Sequence, residues 1–147
     1  MSTTKCSVPI STLKAAPFSL PWGAPIYVKV TATNVIGSSA TSPVGNGAII
    51  LTNPDSPLRL VNNPQTTNAY RILVSWEEGL ANGGTPVIDY RLLYDQGTNN
   101  YITLASGITN LYYLATTLTM GTTYKFKVES RNSYGYSLAP SNEVTIL

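Results

Sequence analysis

Residues 122–130, TTYKFKVES, set Tyr124, Phe126 and Val128 on one side of an extended chain and Lys125, Lys127 and Glu129 on the other. A period of two fits a strand with one buried face. It excludes an amphipathic helix, whose apolar residues return three and four positions apart. The same alternation recurs in short runs. RILVSW puts Ile72, Val74 and Trp76 on one face, and VIDYRLLY does so with Ile88, Tyr90, Leu92 and Tyr94. LRLVN at 58–62, YITLAS, LYYLATT and NEVTIL, the last directing Val144 and Ile146 inward, bring the series to seven. EEGLANGGTP is a loop, because Gly83, Gly84 and Pro86 sustain neither a helix nor a central strand. The fold class is all-β. Seven half-buried strands joined by turn-rich loops pack as a two-sheet sandwich.

The boundary of that sandwich falls near LTNPDSPLRL, where Pro54 and Pro57 bracket an acidic turn and interrupt any ladder passing through. This divides the chain into residues 1–51, a linker at 52–56 and a domain at 57–147. The first segment repeats part of the last. Residues 23–39, GAPIYVKVTATNVIGSS, echo residues 121–137, GTTYKFKVESRNSYGYS; Asn34 and Asn132 lie 98 residues apart, as do Gly37 and Gly135.

Pro57, Trp76, Tyr90, Leu118, Gly121, Tyr124, Val128, Asn132, Gly135 and Ser137, in that order, resemble a fibronectin type III domain, and the resemblance covers residues 54–147. It implies a seven-stranded, immunoglobulin-like sandwich with Trp76 in the core on the second strand. It also implies that Tyr124 forms a corner whose hydroxyl bonds nearby backbone. Trp76, Tyr90, Leu118 and Tyr124 are the expected structural core. The anchor rings of Trp76 and Tyr124 bury a large area, and each polar tip is expected to find a partner. Residues 1–51 resemble the last three strands of such a domain, with its first four absent. CSVPISTLKAAPFSLPWG stands for a divergent fifth strand and its connection, IYVKVTATN for the sixth and NGAIIL for the seventh. One position departs, since Ile26 stands where Tyr124 predicts a tyrosine, with Tyr27 adjacent. The strings in this segment are also similar to tandem type III repeats in large surface proteins of unicellular eukaryotes.

Histidine is absent, which removes the commonest general base and metal ligand together with Ser-His and Cys-His arrangements. Glu77 and Glu78 alternate across a strand end and face opposite ways. Asp89 and Asp95 flank the third strand and offer oxygens to calcium, yet the spacing of a calcium loop is missing. GLANGG lacks both the Lys-Ser/Thr ending and the following helix of a phosphate loop. Neither an enzyme nor a cofactor or metal site is expected. Nine Lys and Arg stand against seven Asp and Glu without clustering, which argues against nucleic acid as a partner. No stretch approaches the roughly 20 apolar residues that span a bilayer, so membrane insertion is not expected. MSTTKCSVPISTL lacks the apolar run of a signal peptide, so export is expected to rest on sequence outside this chain. Only 11% of residues are charged, and the surface must be polar through Ser, Thr and Asn, a composition that points to an extracellular or cell-surface β-protein.

The expected partners are proteins, either other copies or neighbouring repeats, with a glycan as a further class. RNSYGYSLAPSN offers an interaction loop of Asn132, Ser133, Tyr134, Gly135 and Tyr136, whose tyrosines are amphipathic groups enriched at interfaces; the alternative is that one of them packs on the sandwich. Neither an Arg-Gly-Asp triplet nor an Asn-x-Ser/Thr sequon occurs, whereas GSSATSPVGN is open to O-linked sugars. Three strands cannot bury both faces of a sandwich, so the piece is expected either to be cut from a longer repeat protein or to be completed by strands of a neighbouring chain, for which an open apolar edge is a template. Val28, Val30 and Ile49 are the expected self-association residues, with Cys6 near that seam. Cys6, the sole cysteine, otherwise reads as a small buried apolar group or as half of a bond to a cysteine elsewhere. Three functions follow: a non-catalytic structural or adhesive module of an extracellular repeat protein, a filament subunit completed in trans by strand complementation, or an accessory module of a secreted enzyme.

Overall fold

The alternating runs are strands in the computed structural model, which describes residues 5–147. The chain divides between Leu51 and Thr52 into two units. In the first, a short helix, α1 (Ile10–Lys14), precedes two antiparallel strands, β1 (Pro25–Val28) and β2 (Gly45–Ile49). In the second lie β3 (Leu58–Asn62), β4 (Ile72–Glu77), β5 (Asp89–Tyr94), β6 (Ile102–Ile108), β7 (Tyr112–Ala115), β8 (Tyr124–Arg131) and β9 (Val144–Ile146). These form a three-stranded sheet in the order β3-β4-β7 and a four-stranded sheet in the order β6-β5-β8-β9, with every neighbour antiparallel.

The core of the second unit lies between these sheets. Leu60, Ile72, Val74 and Trp76 come from the smaller sheet, and Tyr90, Leu92, Tyr124, Phe126, Val128 and Ile146 from the larger. Trp76 meets Tyr90 edge-on, with ring centroids 5.6 Å apart, a favoured aromatic geometry. Leu118 is half-buried at the margin of this cluster. The two anchor rings differ at their polar tips. The Tyr124 hydroxyl accepts the Thr119 N–H at 2.9 Å, closing a corner, whereas the Trp76 Nε1–H has no acceptor among the described residues, contrary to the expectation from its sequence. Ile88 also departs from expectation. It precedes the first residue of β5 and is exposed, so the inward series begins at Tyr90.

Residues 52–56, read from the sequence as a linker, run hydrogen-bonded along the second unit. The Thr52 N–H donates to the Gly83 carbonyl at 3.0 Å, and the Asp55 N–H to the Ala81 carbonyl at 2.9 Å. The Ser130 hydroxyl donates to the Asp55 carbonyl at 2.6 Å, and the Ser56 hydroxyl to Ala139 at 2.7 Å. The approach is close enough to require glycine at position 83, where a Cβ would stand 2.2 Å from the Thr52 carbonyl oxygen and φ is +74°. Pro54 and Pro57 exclude a regular ladder here but do not prevent docking.

The first unit corrects three expectations. The fifth strand expected within residues 6–23 is absent: the segment holds α1 and turns, because Pro9, Pro17 and Pro21 remove the donors that a strand ladder needs. Cys6 is exposed rather than buried. Beyond Val28, the pairing of residues 30–42 continues as isolated bonds instead of a long sixth strand.

Those bonds repeat the second unit. The Asn34 N–H donates to the Gly37 carbonyl at 3.0 Å, as the Asn132 N–H does to Gly135 at 3.0 Å. Ser39 to Ala32 matches Ser137 to Ser130, each at 2.8 Å. The Val30 N–H reaches the Ser42 hydroxyl at 3.0 Å and the Val128 N–H reaches Ser141 at 3.0 Å, the second loop being one residue longer. The corner is not repeated. At the same offset of 98 residues, Pro21 replaces Thr119 and Ile26 replaces Tyr124, so donor and acceptor are lost together. Tyr124→Phe should therefore destabilise the second unit by about 0.5–1.5 kcal/mol through the orphaned Thr119 N–H; urea denaturation of residues 52–147 measures this, and an unchanged midpoint would remove the corner from the account.

Candidate interaction surfaces

The loop leaving β8 is shaped by one side chain. Asn132 is 2% exposed, and its amide makes four hydrogen bonds. Its Oδ1 accepts the N–H groups of Tyr134 at 2.9 Å and Gly135 at 3.0 Å, while its Nδ2 donates to the carbonyls of Thr52 and Asn82, each at 2.8 Å. Nothing is left for a ligand. Gly135 lies so near the Asn53 amide that a Cβ would meet it at 3.0 Å, and Asn53 donates to the Tyr136 carbonyl at 2.6 Å. Of the five residues expected to form an interaction loop, Ser133 and Tyr134 are exposed, and Asn132, Gly135 and Tyr136 are drawn into structure.

Tyr136 packs beneath two guanidinium groups, its ring centre 4.0 Å from Arg91 and 5.5 Å from Arg131. Each arginine is also bonded to a carboxylate on the neighbouring strand. Arg91 Nε donates to Glu129 at 2.7 Å, and Arg131 Nε to Asp89 at 2.8 Å. The register that places Arg91 opposite Glu129 and Asp89 opposite Arg131 makes these cross-strand pairs. Further along the same strand, Lys127 lies 3.3 Å from Glu143, and the Tyr101 hydroxyl donates to that carboxylate at 2.6 Å. The Tyr101 bond, followed by Lys127 and Lys125, holds the Glu143 carboxyl below its usual range; burial, then Glu143 itself, pushes the Tyr101 phenol up.

Asp89 and Asp95, the oxygens considered for calcium, are both engaged internally. Asp89 pairs with Arg131. The Asp95 carboxylate accepts N–H groups from Lys125 at 2.9 Å, Gly97 at 3.0 Å and Asn99 at 3.2 Å. Burial pushes its carboxyl up, but these three bonds and the Lys125 charge bring it below the ordinary value.

The first unit presents the same loop with different contents. Asn34 Oδ1 accepts the N–H groups of Ile36 at 2.9 Å and Gly37 at 3.1 Å, as Asn132 does for its own loop. The residues at its tip are Val35, 99% exposed, and Ile36, 91% exposed, which correspond to Ser133 and Tyr134. This apolar tip was missed in the sequence, because an exposed Val-Ile pair has the same letters as a buried one. Val28, Val30 and Ile49, the expected self-association residues, are all more than half exposed, and Ile26 is half-buried. Tyr124, Phe126 and Val128, the β8 counterparts of Ile26, Val28 and Val30, are buried. Among the described residues β1 has one strand neighbour, β2, whereas β8 has two.

The family model for the fibronectin type III domain matches residues 56–146. Among solved structures, domains A168–A170 of titin are 19% identical with a TM-score of 0.65, over 82% of this chain and 40% of that one. The chain thus spans less than half of the titin structure. A human fourth FNIII domain is 20% identical over 71% of this chain and 87% of its own length, with a TM-score of 0.59. A Fn3-like protein from Clostridium thermocellum is 19% identical over 65% and 94% of the two chains, with a TM-score of 0.53. At such identities the likeness to these structures is one of fold.

The paired loops give an internal comparison. Asn132→Ala should cost about 1–3 kcal/mol, because it strands buried carbonyls and N–H groups. Asn34→Ala, at an exposed site, should stay within about 0.5 kcal/mol. Thermal unfolding of the two variants measures the difference, and equal costs would contradict the assignment of Asn132 as the clamp of the second unit.

Proposed function

We propose, on the premise that this chain belongs to the fibronectin type III domain family, that it is a non-catalytic structural or adhesive module acting through exposed apolar loop tips. The observation that carries this reading is the contrast within each loop. The asparagine side chains bond the loop backbone, and the exposed tip residues are Val35 and Ile36 in one loop and Ser133 and Tyr134 in the other, which supply contact area. The charged face of the larger sheet is paired within itself, which leaves it few free charges to offer a partner. An extracellular or cell-surface setting is supported by the low charge content. Other copies of the chain or neighbouring repeats are the partners, and glycans are a further class.

A second reading, a filament subunit completed in trans, is favoured by the exposure of Val28, Val30 and Ile49 beside an open β1 edge. One experiment separates the two. Beads coated with the full chain should aggregate. Under the first reading Val35→Ser with Ile36→Ser and Tyr134→Ser abolishes aggregation, and under the second Val30→Lys does so while the triple variant does not. Beads that stay dispersed would overturn both.

A further inference from the structure

The two sheets of the second unit end in four edge strands, β3, β7, β6 and β9. Three of these edges are blunted. At β3, Pro57 precedes the strand, a register shift falls between Leu58 and Val61, and Arg59 stands at φ +51°. Asn142 also occupies the Leu60 backbone there, its Oδ1 accepting the N–H and its Nδ2 donating to the carbonyl, each at 3.1 Å. β9 has three residues and follows Glu143. β6 breaks register twice against β5 and holds Gly107 at φ +69°. Bulges, charges, prolines and short length are the means by which an edge avoids other chains.

β7 carries no bulge, charge or proline. Tyr112, Tyr113, Leu114 and Ala115 pair with β4 without a break, and residues 96–124 include neither a charged residue nor a proline. The Trp76 N–H donates to the Leu111 carbonyl at 2.9 Å, so antiparallel alternation makes Tyr113 and Ala115 the next residues bonded to β4. The N–H and carbonyl groups of Tyr112 and Leu114 therefore point to the open edge. On the outer face of the sheet the side chains of Tyr112 and Leu114 are exposed, with Leu73 opposite Leu114. On the inner face Tyr113 is half-buried beside an open recess of about 590 Å³, which Ala105, Gly107 and Ile108 also line.

We propose that β7 pairs with the β7 of a second copy of this chain, antiparallel about a two-fold axis at Tyr113. The edge is complementary to itself. Tyr112 of each copy meets Leu114 of the other, and each such pair exchanges both of its N–H to carbonyl bonds. The same pairing sets an aromatic ring against an aliphatic side chain on the outer face. The two Tyr113 rings meet at the axis, each beside the recess of the other copy. A second copy is the occupant because the edge matches its own pattern residue for residue and, being uncharged from 96 to 124, brings no like charges together at the axis. The pair is closed, since each β7 is taken up by the other and no filament grows from it. It uses neither the loop tips nor β1, and it stands or falls independently of both functional readings.

The test uses the full chain carrying Val30→Lys, Val35→Ser, Ile36→Ser and Tyr134→Ser, in which the contacts of those two readings are removed. Sedimentation velocity is expected to show a monomer–dimer equilibrium. Adding Tyr112→Lys with Leu114→Lys sets lysine opposite lysine across the pair and is expected to raise the dimer dissociation constant on the order of tenfold or more, whereas Tyr112→Lys with Leu114→Glu sets opposite charges together and is expected to retain the dimer. Amide exchange followed by NMR should slow with rising protein concentration at Tyr112 and Leu114, and not at Tyr113, whose N–H is already bonded to β4. A chain that stays monomeric at millimolar concentration would overturn the pairing, and equal dissociation constants for the two lysine variants would overturn its register.

Discussion

The second unit depends on the burial of one strand. β8 turns Tyr124, Phe126 and Val128 into the space between the sheets, pairs with β5 on one edge and β9 on the other, and is buried at every second residue. Each such side chain removed from water contributes roughly 1.5–3 kcal/mol. The remaining features attach to this strand: the corner closes on Tyr124, the clamp stands just beyond its end at Asn132, and its outer face carries the cross-strand ion pairs. Even residues 52–56 are fixed partly through it, by the Ser130 hydroxyl on Asp55.

β1 shows the same strand without that burial. Its loop keeps the Asn34 bonds and its turn keeps the bond from Ala24 to Pro21, because these are local and written in a few adjacent residues. The apolar side chains do not find cover, since cover comes from distant strands such as β4 and β5. Local hydrogen bonding and long-range burial are therefore separable here. The loss of both corner partners at Pro21 and Ile26 fits a segment in which the corner no longer joins a core.

This separation also explains what the sequence disclosed. Alternation located the seven strands of the second unit and turned Trp76 and Tyr124 inward, and the resemblance to a type III domain marked these two rings as anchors. The docking of residues 52–56 was hidden, since it depends on Gly83 and Asn132, both far along the chain. Val35 and Ile36 were hidden for the opposite reason: an exposed aliphatic pair has the same letters as a buried one. The pairing of Asp89 with Arg131 follows from strand register and not from spacing in the chain. At the unpaired Trp76 Nε1, packing against Tyr90 outweighs the general expectation of a hydrogen bond.

The chain joins one complete type III sandwich to a second copy of its final hairpin whose apolar side chains are exposed. The central claim is that the two hairpins share local structure but not burial. Residue-resolved hydrogen exchange on the dilute full chain tests it most directly. The Val128 amide should exchange only through global unfolding of the second unit, while the Val30 amide, with the same hydroxyl acceptor, should exchange orders of magnitude faster through local opening. Comparable protection at the two positions would contradict the account.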